Sequence, residues 1–299
     1  MTTHSITEQP FDTKGVALVL EGGGFRGIFT AAVLDAFQND GLLFEYLIGV
    51  SAGAAYSVSY VSRQFRRNLA VNKYVNDKRY CGYNHWLKKG NYFNWDFIYH
   101  QIPTGIIPFD YKSFNQSSSR LKVVVTDIKS GCPEYQQLRT DQPDVFRDWL
   151  TATSALPLIS KPQPIDGKLY MDGGLCDSIP IKHALADGNN RAVVVLTRPH
   201  GYRKKPMRHS WIFRLFYRKY PRLVECIQRR NHEYNRTLDH IEKLEQAGTI
   251  FVIRPQTVNG VSRLENNPDR LQHFYEQACR QMTGEMDRLK DWLRGEGRC

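Results

Sequence analysis

The 299-residue chain is 41% hydrophobic and 24% charged, and at this length folding buries roughly three-quarters of the surface that an unfolded chain exposes, enough for one sizeable core. Its 41 Lys and Arg against 30 Asp and Glu leave a net charge of +11, which favours anionic partners without choosing between phospholipid headgroups and nucleic acid. Six cysteines fall at wide, irregular intervals with no C-x-x-C pair and no zinc-spaced Cys/His cluster, so neither a disulfide framework nor a metal site is expected.

Residues 1–15 form a polar N-terminal segment carrying Glu8 and Asp12, without the basic start and apolar run of a secretion signal. No apolar stretch approaches the roughly 18 residues of a membrane span. A cytoplasmic location, peripheral at the membrane if membrane is involved, is the expectation. From residue 16 onward short apolar runs alternate with helical patterns, as in a parallel sheet covered by helices. Strands are predicted at 16–20, 47–50, 121–126, 192–197 and 250–253; their β-branched runs lack polar alternation, as both-face burial requires. Helices are predicted at 28–37, from Ala52 onward, at 225–246 with Gly248 as its stop, and at 268–293. Residues 84–109, rich in aromatics, Gly and Pro, read as a lid or loop-rich cap. No internal repeat or linker divides the chain.

Gly49-Val50-Ser51-Ala52-Gly53 matches G-x-S-x-G, in which flanking glycines let a strand-to-helix turn expose a serine hydroxyl. The bland alternative is a tight glycine turn with a bystander serine. Gly22-Gly23-Gly24-Phe25-Arg26-Gly27 follows the first strand and opens a helix, so its amides face whatever negative charge sits there, an oxyanion or a phosphate. The same string fits a dinucleotide-binding turn, but the acidic residue required, Glu45, precedes the second strand instead of closing it. Tyr170-Met171-Asp172-Gly173-Gly174 sets a carboxylate before two glycines, a pattern that a simple turn aspartate also satisfies.

Together, GGGFRG, GVSAG and DGG, in that order, resemble the patatin-like phospholipase family, helped by residues 123–127 and by the stretch from Thr151 to Pro157. The resemblance covers roughly 16–181, and the downstream half is similar to that of bacterial single-domain members. It implies an α/β fold, a three-layer α/β/α sandwich with a mostly parallel central sheet, spanning 16–299 as a single hydrolase domain with a helical C-terminal part from about 200. It also implies a catalytic pair of Ser51 and Asp172, with Gly23, Gly24 and Arg26 at the oxyanion hole. Glu21 stands where an Asp is common, and Ser178 where an Asn is usual.

A carboxylate raised by burial and in direct contact with the serine serves as base without a histidine relay. None of the nine histidines, His183, His200 and His209 included, sits in a catalytic motif. Asp127, at the end of a predicted strand, is the competing carboxylate. The chemistry requires neither metal nor organic cofactor. The expected function is hydrolysis of lipid carboxylic esters, phospholipids or lysophospholipids, against two alternatives: a non-catalytic lipid-binding protein and a dinucleotide-dependent oxidoreductase. Residues 211–220, WIFRLFYRKY, put Arg214 and Arg218 on one side of a helix, fitting either an anionic lipid interface or a core helix with a solvated edge. No nucleic-acid recognition motif accompanies them.

Overall fold

The β-branched runs become the centre of an eight-stranded sheet in the computed structural model, which describes residues 12–139 and 141–295. Most of the polar N-terminal segment, and Cys299, therefore lie outside the described residues. The strands are β1 (Val16–Leu20), β2 (Tyr46–Val50), β3 (Arg120–Asp127), β4 (Cys132–Gln137), β5 (Gln163–Ile165), β6 (Lys168–Asp172), β7 (Arg191–Val195) and β8 (Ile250–Ile253). Their order is β5-β6-β3-β2-β1-β7-β8, with β4 on the other edge of β3. Five of them, β3-β2-β1-β7-β8, pair in parallel; β4 and β6 pair antiparallel with β3, and β5 pairs antiparallel with β6, giving the mostly parallel sheet expected.

Alternate residues of β1 enter separate cores. Leu18 and Leu20 pack with α1 (Ile28–Asn39), α2 (Ala52–Val61) and the helices that join them on that face, whereas Ala17 and Val19 pack towards the opposite layer. Short helices α3 (Arg67–Asn72), α4 (Tyr83–Lys89) and α5 (Tyr111–Gln116) follow α2, and α6 (Pro143–Ser154) crosses β3 and β6. The opposite layer holds α7 (Ile181–Ala186) and, after a short α8 (Trp211–Phe216), the long α9 (Pro221–Gln246). α10 (Pro268–Arg294) returns to the first face, where Phe274 stacks on Phe29 of α1 at 6.1 Å. Two full layers on a sheet are the three-layer α/β/α sandwich.

Three expectations are corrected. Residues 84–109 are not loop-rich: α4 is followed by a π-helical segment, Phe97–Ile106, whose Phe97 and Ile102 are fully buried in the main core. Pro103 and Gly105 mask its period in the sequence. In 211–220 the helix stops at Phe216, because Tyr217 turns inward to accept a hydrogen bond from the Leu158 N–H at 3.0 Å, so Arg218 lies beyond the helix. Finally, Cys176 and Cys226, 50 residues apart, are joined as a disulfide. Irregular spacing hid the pair, which meets only because α9 packs on the turn after β6.

Candidate active site

Ser51 and Asp172 are brought together by β3. β4 occupies one edge of β3 across Lys122 to Asp127, so β2 and β6 must share the other. β2 runs parallel to β3 and ends with Val50 opposite Val124; β6 runs antiparallel and ends with Asp172 opposite Val125. The two C-terminal ends therefore meet head to head, and the residue after Val50 is Ser51.

Ser51 adopts φ 53° and ψ −121° between β2 and α2, the strained turn that G-x-S-x-G demands. Gly53 is needed here because a Cβ would lie 2.5 Å from the Leu20 carbonyl oxygen. Gly49 and Gly173 pack equally close, on the start of α2 and on the Val124 carbonyl, while Gly27 faces Ala52 and Tyr56 of α2. Gly22 lies against Val50 and Ser51.

In the glycine loop the Phe25 N–H donates to the Arg263 carbonyl at 3.2 Å, but among the described residues no backbone carbonyl accepts from Gly23 or Gly24. Both glycines line a small cavity with Ser51 and Asp172, which leaves their amides available there as hydrogen-bond donors. Glu21 fixes the loop from below: its carboxylate accepts from the Thr197 N–H at 2.6 Å and from the Tyr234 hydroxyl at 2.6 Å. Arg26 is buried beside Glu21, Arg198 and Arg263 and lines neither cavity around Ser51; burial, then those two arginines, lower it to about 10.

Asp172 is buried, and its carboxylate accepts from the Gly174 N–H at 2.7 Å and bonds the Ser51 hydroxyl. Burial raises its pKa above the ordinary aspartate range, against the opposing pull of Arg230, the Ser51 and Gly174 hydrogen bonds, and Arg263. A buried carboxylate of raised pKa beside a hydroxyl is suited to take its proton. Ser51 also lines a larger cavity of about 140 Å³, walled by Tyr56, Phe93, Trp95, Tyr99, Phe146 and Leu150. Its apolar lining suits an acyl chain.

The competing residues lie elsewhere. Asp127 caps the β3–β4 turn, accepting from the Lys129 N–H at 2.8 Å. His183 stacks on Tyr135 with ring centres 3.5 Å apart and faces Asp187, which binds Tyr46 at the start of β2, a strand's length from Ser51. Glu45 precedes β2 at that same far end. Ser178 donates to the Gly174 carbonyl at 2.7 Å and holds the turn after Asp172. Among the described residues no group of three or more His, Cys, Asp or Glu is arranged to hold a metal ion. Sequence reading missed Arg230 and Arg263, which line the small cavity, and Thr153, whose hydroxyl accepts from the Ser51 N–H at 2.9 Å. Arg230 lies in a basic stretch, 198–236, where Glu225 and Glu233 are the only acidic residues.

The sequence model described as "Patatin-like phospholipase" matches residues 18–185, and one described as "Domain of unknown function (DUF6363)" matches 220–294. Over 264 residues the chain is 30% identical to "Uncharacterized protein YjjU" of Escherichia coli (strain K12), covering 83% of this chain and 70% of that protein. Among solved structures, VipD from Legionella pneumophila aligns over 91% of this chain and 66% of its own, with a TM-score of 0.46 and 14% identity.

Proposed function

The chain belongs to the patatin-like phospholipase family, and on that premise we propose that it is a serine acyl hydrolase of lipid esters working through a Ser51–Asp172 dyad. The observation that carries this reading is the shared cavity in which the Ser51 hydroxyl bonds a buried carboxylate while the Gly23 and Gly24 amides stand free. Asp172 takes the Ser51 proton as the hydroxyl oxygen attacks the acyl carbon. The developing oxyanion is held by the two amides, each such donor contributing on the order of 3 kcal/mol. Asp172 then returns the proton to the leaving alcohol. Water, activated by the same carboxylate, releases the fatty acid from the acyl-enzyme. The apolar cavity receives the acyl chain.

Access to lipid is proposed to be peripheral. Among the described residues no helix is long and apolar enough to cross a membrane. Trp211, Leu215 and Phe216 of α8 are 62%, 62% and 69% exposed, and Tyr83 and Leu87 of α4 are 75% and 74% exposed. The two helices meet at Leu158: the Trp86 indole donates to its carbonyl at 2.8 Å, and Tyr217 accepts from its N–H. Leu156, two residues away, lines both cavities. Lys88, Lys89, Arg214, Arg218 and Lys219 accompany these apolar side chains, and neither 78–95 nor 198–220 contains an acidic residue. Exposed aromatics within a basic field beside a lipid-sized cavity fit an anionic bilayer surface.

The test is labelling of the purified chain by a fluorophosphonate probe, together with hydrolysis of a phospholipid. Both are expected in the wild type and absent from Ser51→Ala. Labelling that survives the substitution would sink the assignment.

A further inference from the structure

The stretch matched by the domain of unknown function reaches the catalytic cavity. Arg230 comes from α9 and Arg263 from the segment between β8 and α10, and both line the small cavity with Ser51, Asp172 and the glycine loop. Arg263 lines the apolar cavity as well and so stands where the two join. Arg230 lies over the turn that follows Asp172: a Cβ built on Gly174 would be 3.3 Å from Arg230 Nη2 and 3.0 Å from Asp172 Oδ1.

These arginines belong to a larger group. Among the described residues, Arg26, Arg198, Lys204, Arg230 and Arg263 act on one another electrostatically, and the carboxylates that act on them are Glu21 and Asp172. Glu21 is already committed to Thr197 and Tyr234. The Nε atoms of Arg26 and Arg230 are buried with no hydrogen-bond partner among the described residues. Lys204 sits with its ammonium 3.8 Å from the centre of the Tyr234 ring. Burial and the neighbouring cations lower Arg230 to about 10 and hold Lys204 well below the usual lysine range. The arginines of this partly buried group outnumber the two carboxylates that act on them, and such an excess of positive charge around a cavity favours an anionic ligand.

We propose that Arg230 and Arg263, backed by Lys204, form a subsite for a phosphate group on the leaving-group side of the acyl ester, so that the chain selects phosphate-bearing esters over neutral ones. The inference rests on ester hydrolysis at Ser51. With the acyl chain in the apolar cavity and the carbonyl at Ser51, the leaving alcohol points away from that cavity, towards the wall that carries the two arginines. In a glycerophosphoester the phosphate follows that alcohol by a few bonds. Two guanidinium forks match phosphate oxygens in geometry and charge.

The experiment compares octanoyl lysophosphatidylglycerol with octanoylglycerol, both below their micelle concentrations, on the full chain and on Arg230→Gln and Arg263→Gln. The wild type is expected to favour the phosphate-bearing ester by about tenfold or more in kcat/KM, the scale of one charge-assisted contact. Each variant is expected to bring that ratio towards one, chiefly through KM, whatever loss the two substrates share. A wild-type ratio near one overturns the proposal. So does a ratio preserved in the variants while both rates fall together, since the arginines then act only on Asp172. Should Arg230→Gln fail to fold, Arg263→Gln, outside any helix or strand, decides. Hydrolysis of neither ester would instead end the hydrolase reading. The subsite would then be judged by calorimetry with glycerophosphate: binding that Arg263→Gln abolishes supports it, and no binding overturns it. Inorganic phosphate as competitor separates the sources, because inhibition relieved in Arg263→Gln identifies a site for the free anion, and inhibition by glycerophosphate alone identifies a headgroup site.

Discussion

The Ser51 backbone N–H donates to Thr153 Oγ1 at 2.9 Å, and that hydroxyl donates in turn to the Val124 carbonyl at 2.6 Å. Two residues on, the Ala155 carbonyl accepts from the Asp172 N–H at 2.9 Å. The end of α6 thus clamps Ser51 and Asp172 to one another.

Removing that clamp should loosen both. Thr153→Val keeps the side-chain shape but leaves the Ser51 amide without its acceptor, which costs about 1–3 kcal/mol when buried. Lower stability with reduced hydrolysis is expected. Chemical denaturation and initial rates check it, and unchanged values would assign the elbow's fixation to something else.

The positive φ of Ser51 predicts an order among inactive variants. Glycine adopts that backbone freely and alanine does not, so Ser51→Gly should be more stable than Ser51→Ala by about 1 kcal/mol. Equal denaturation midpoints would mean that the turn relaxes once the hydroxyl is gone.

Asp172→Asn removes the base and should be as inactive as Ser51→Ala, while His183→Ala, a strand's length away, should keep most activity. Any histidine variant as inactive as Ser51→Ala and still folded would replace the dyad with a triad. In the wild type, activity should fall as pH drops through the raised pKa of Asp172, and Arg230→Gln, which removes a lowering influence, should move that limb to higher pH. Stability follows the same sign. A carboxyl with a raised folded pKa contributes fully when protonated, below the unfolded value of about 3.9, and loses that contribution as pH rises through the folded value. Asp172→Asn should therefore melt higher than wild type at neutral pH, with the gap closing below about pH 3.9. A gap that is constant with pH would contradict the burial of charge.

Gly24 has φ +57°, and a Cβ there would lie 2.4 Å from the Arg263 carbonyl oxygen. Gly24→Val should accordingly lose most activity and also destabilise the chain by about 1–3 kcal/mol, because Arg263 is backbone-anchored to the loop and cannot yield cheaply. Near-wild-type turnover in a folded variant would move the oxyanion hole elsewhere.

The exposed face of α8 makes a separate prediction. The double variant Trp211→Ser and Phe216→Ser should bind anionic vesicles about tenfold more weakly or worse, and raising salt should weaken the wild type. Hydrolysis of a short monomeric ester should be unchanged. Vesicle sedimentation decides, and equal binding by the double variant would remove α8 from the membrane contact.

Local patterning was enough for much of this architecture. The runs at Val16–Leu20 and Ile250–Ile253 are strands with the bounds read from their β-branched residues, and α9 and α10 follow long amphipathic periods closed by Gly248 and opened by Pro268. The motif order also identified Ser51 and Asp172 as the candidate pair before any geometry was known, since a glycine-flanked turn is a local property of the backbone. The structure alone decided what depends on distance along the chain. β4, β5 and β6 are short, half-polar antiparallel strands, so their identity comes from pairing with β3 and not from composition. The contact of Ser51 with Asp172 depends on two strands ending at adjacent positions of one β3 edge. Arg230 and Arg263 reach the same cavity from segments 33 residues apart and about two hundred residues beyond Ser51, where nothing in their own neighbourhoods announces a site. Tertiary packing selects a few charges out of a basic surface for burial, and only burial converts them from solvated side chains into groups that act on a reaction.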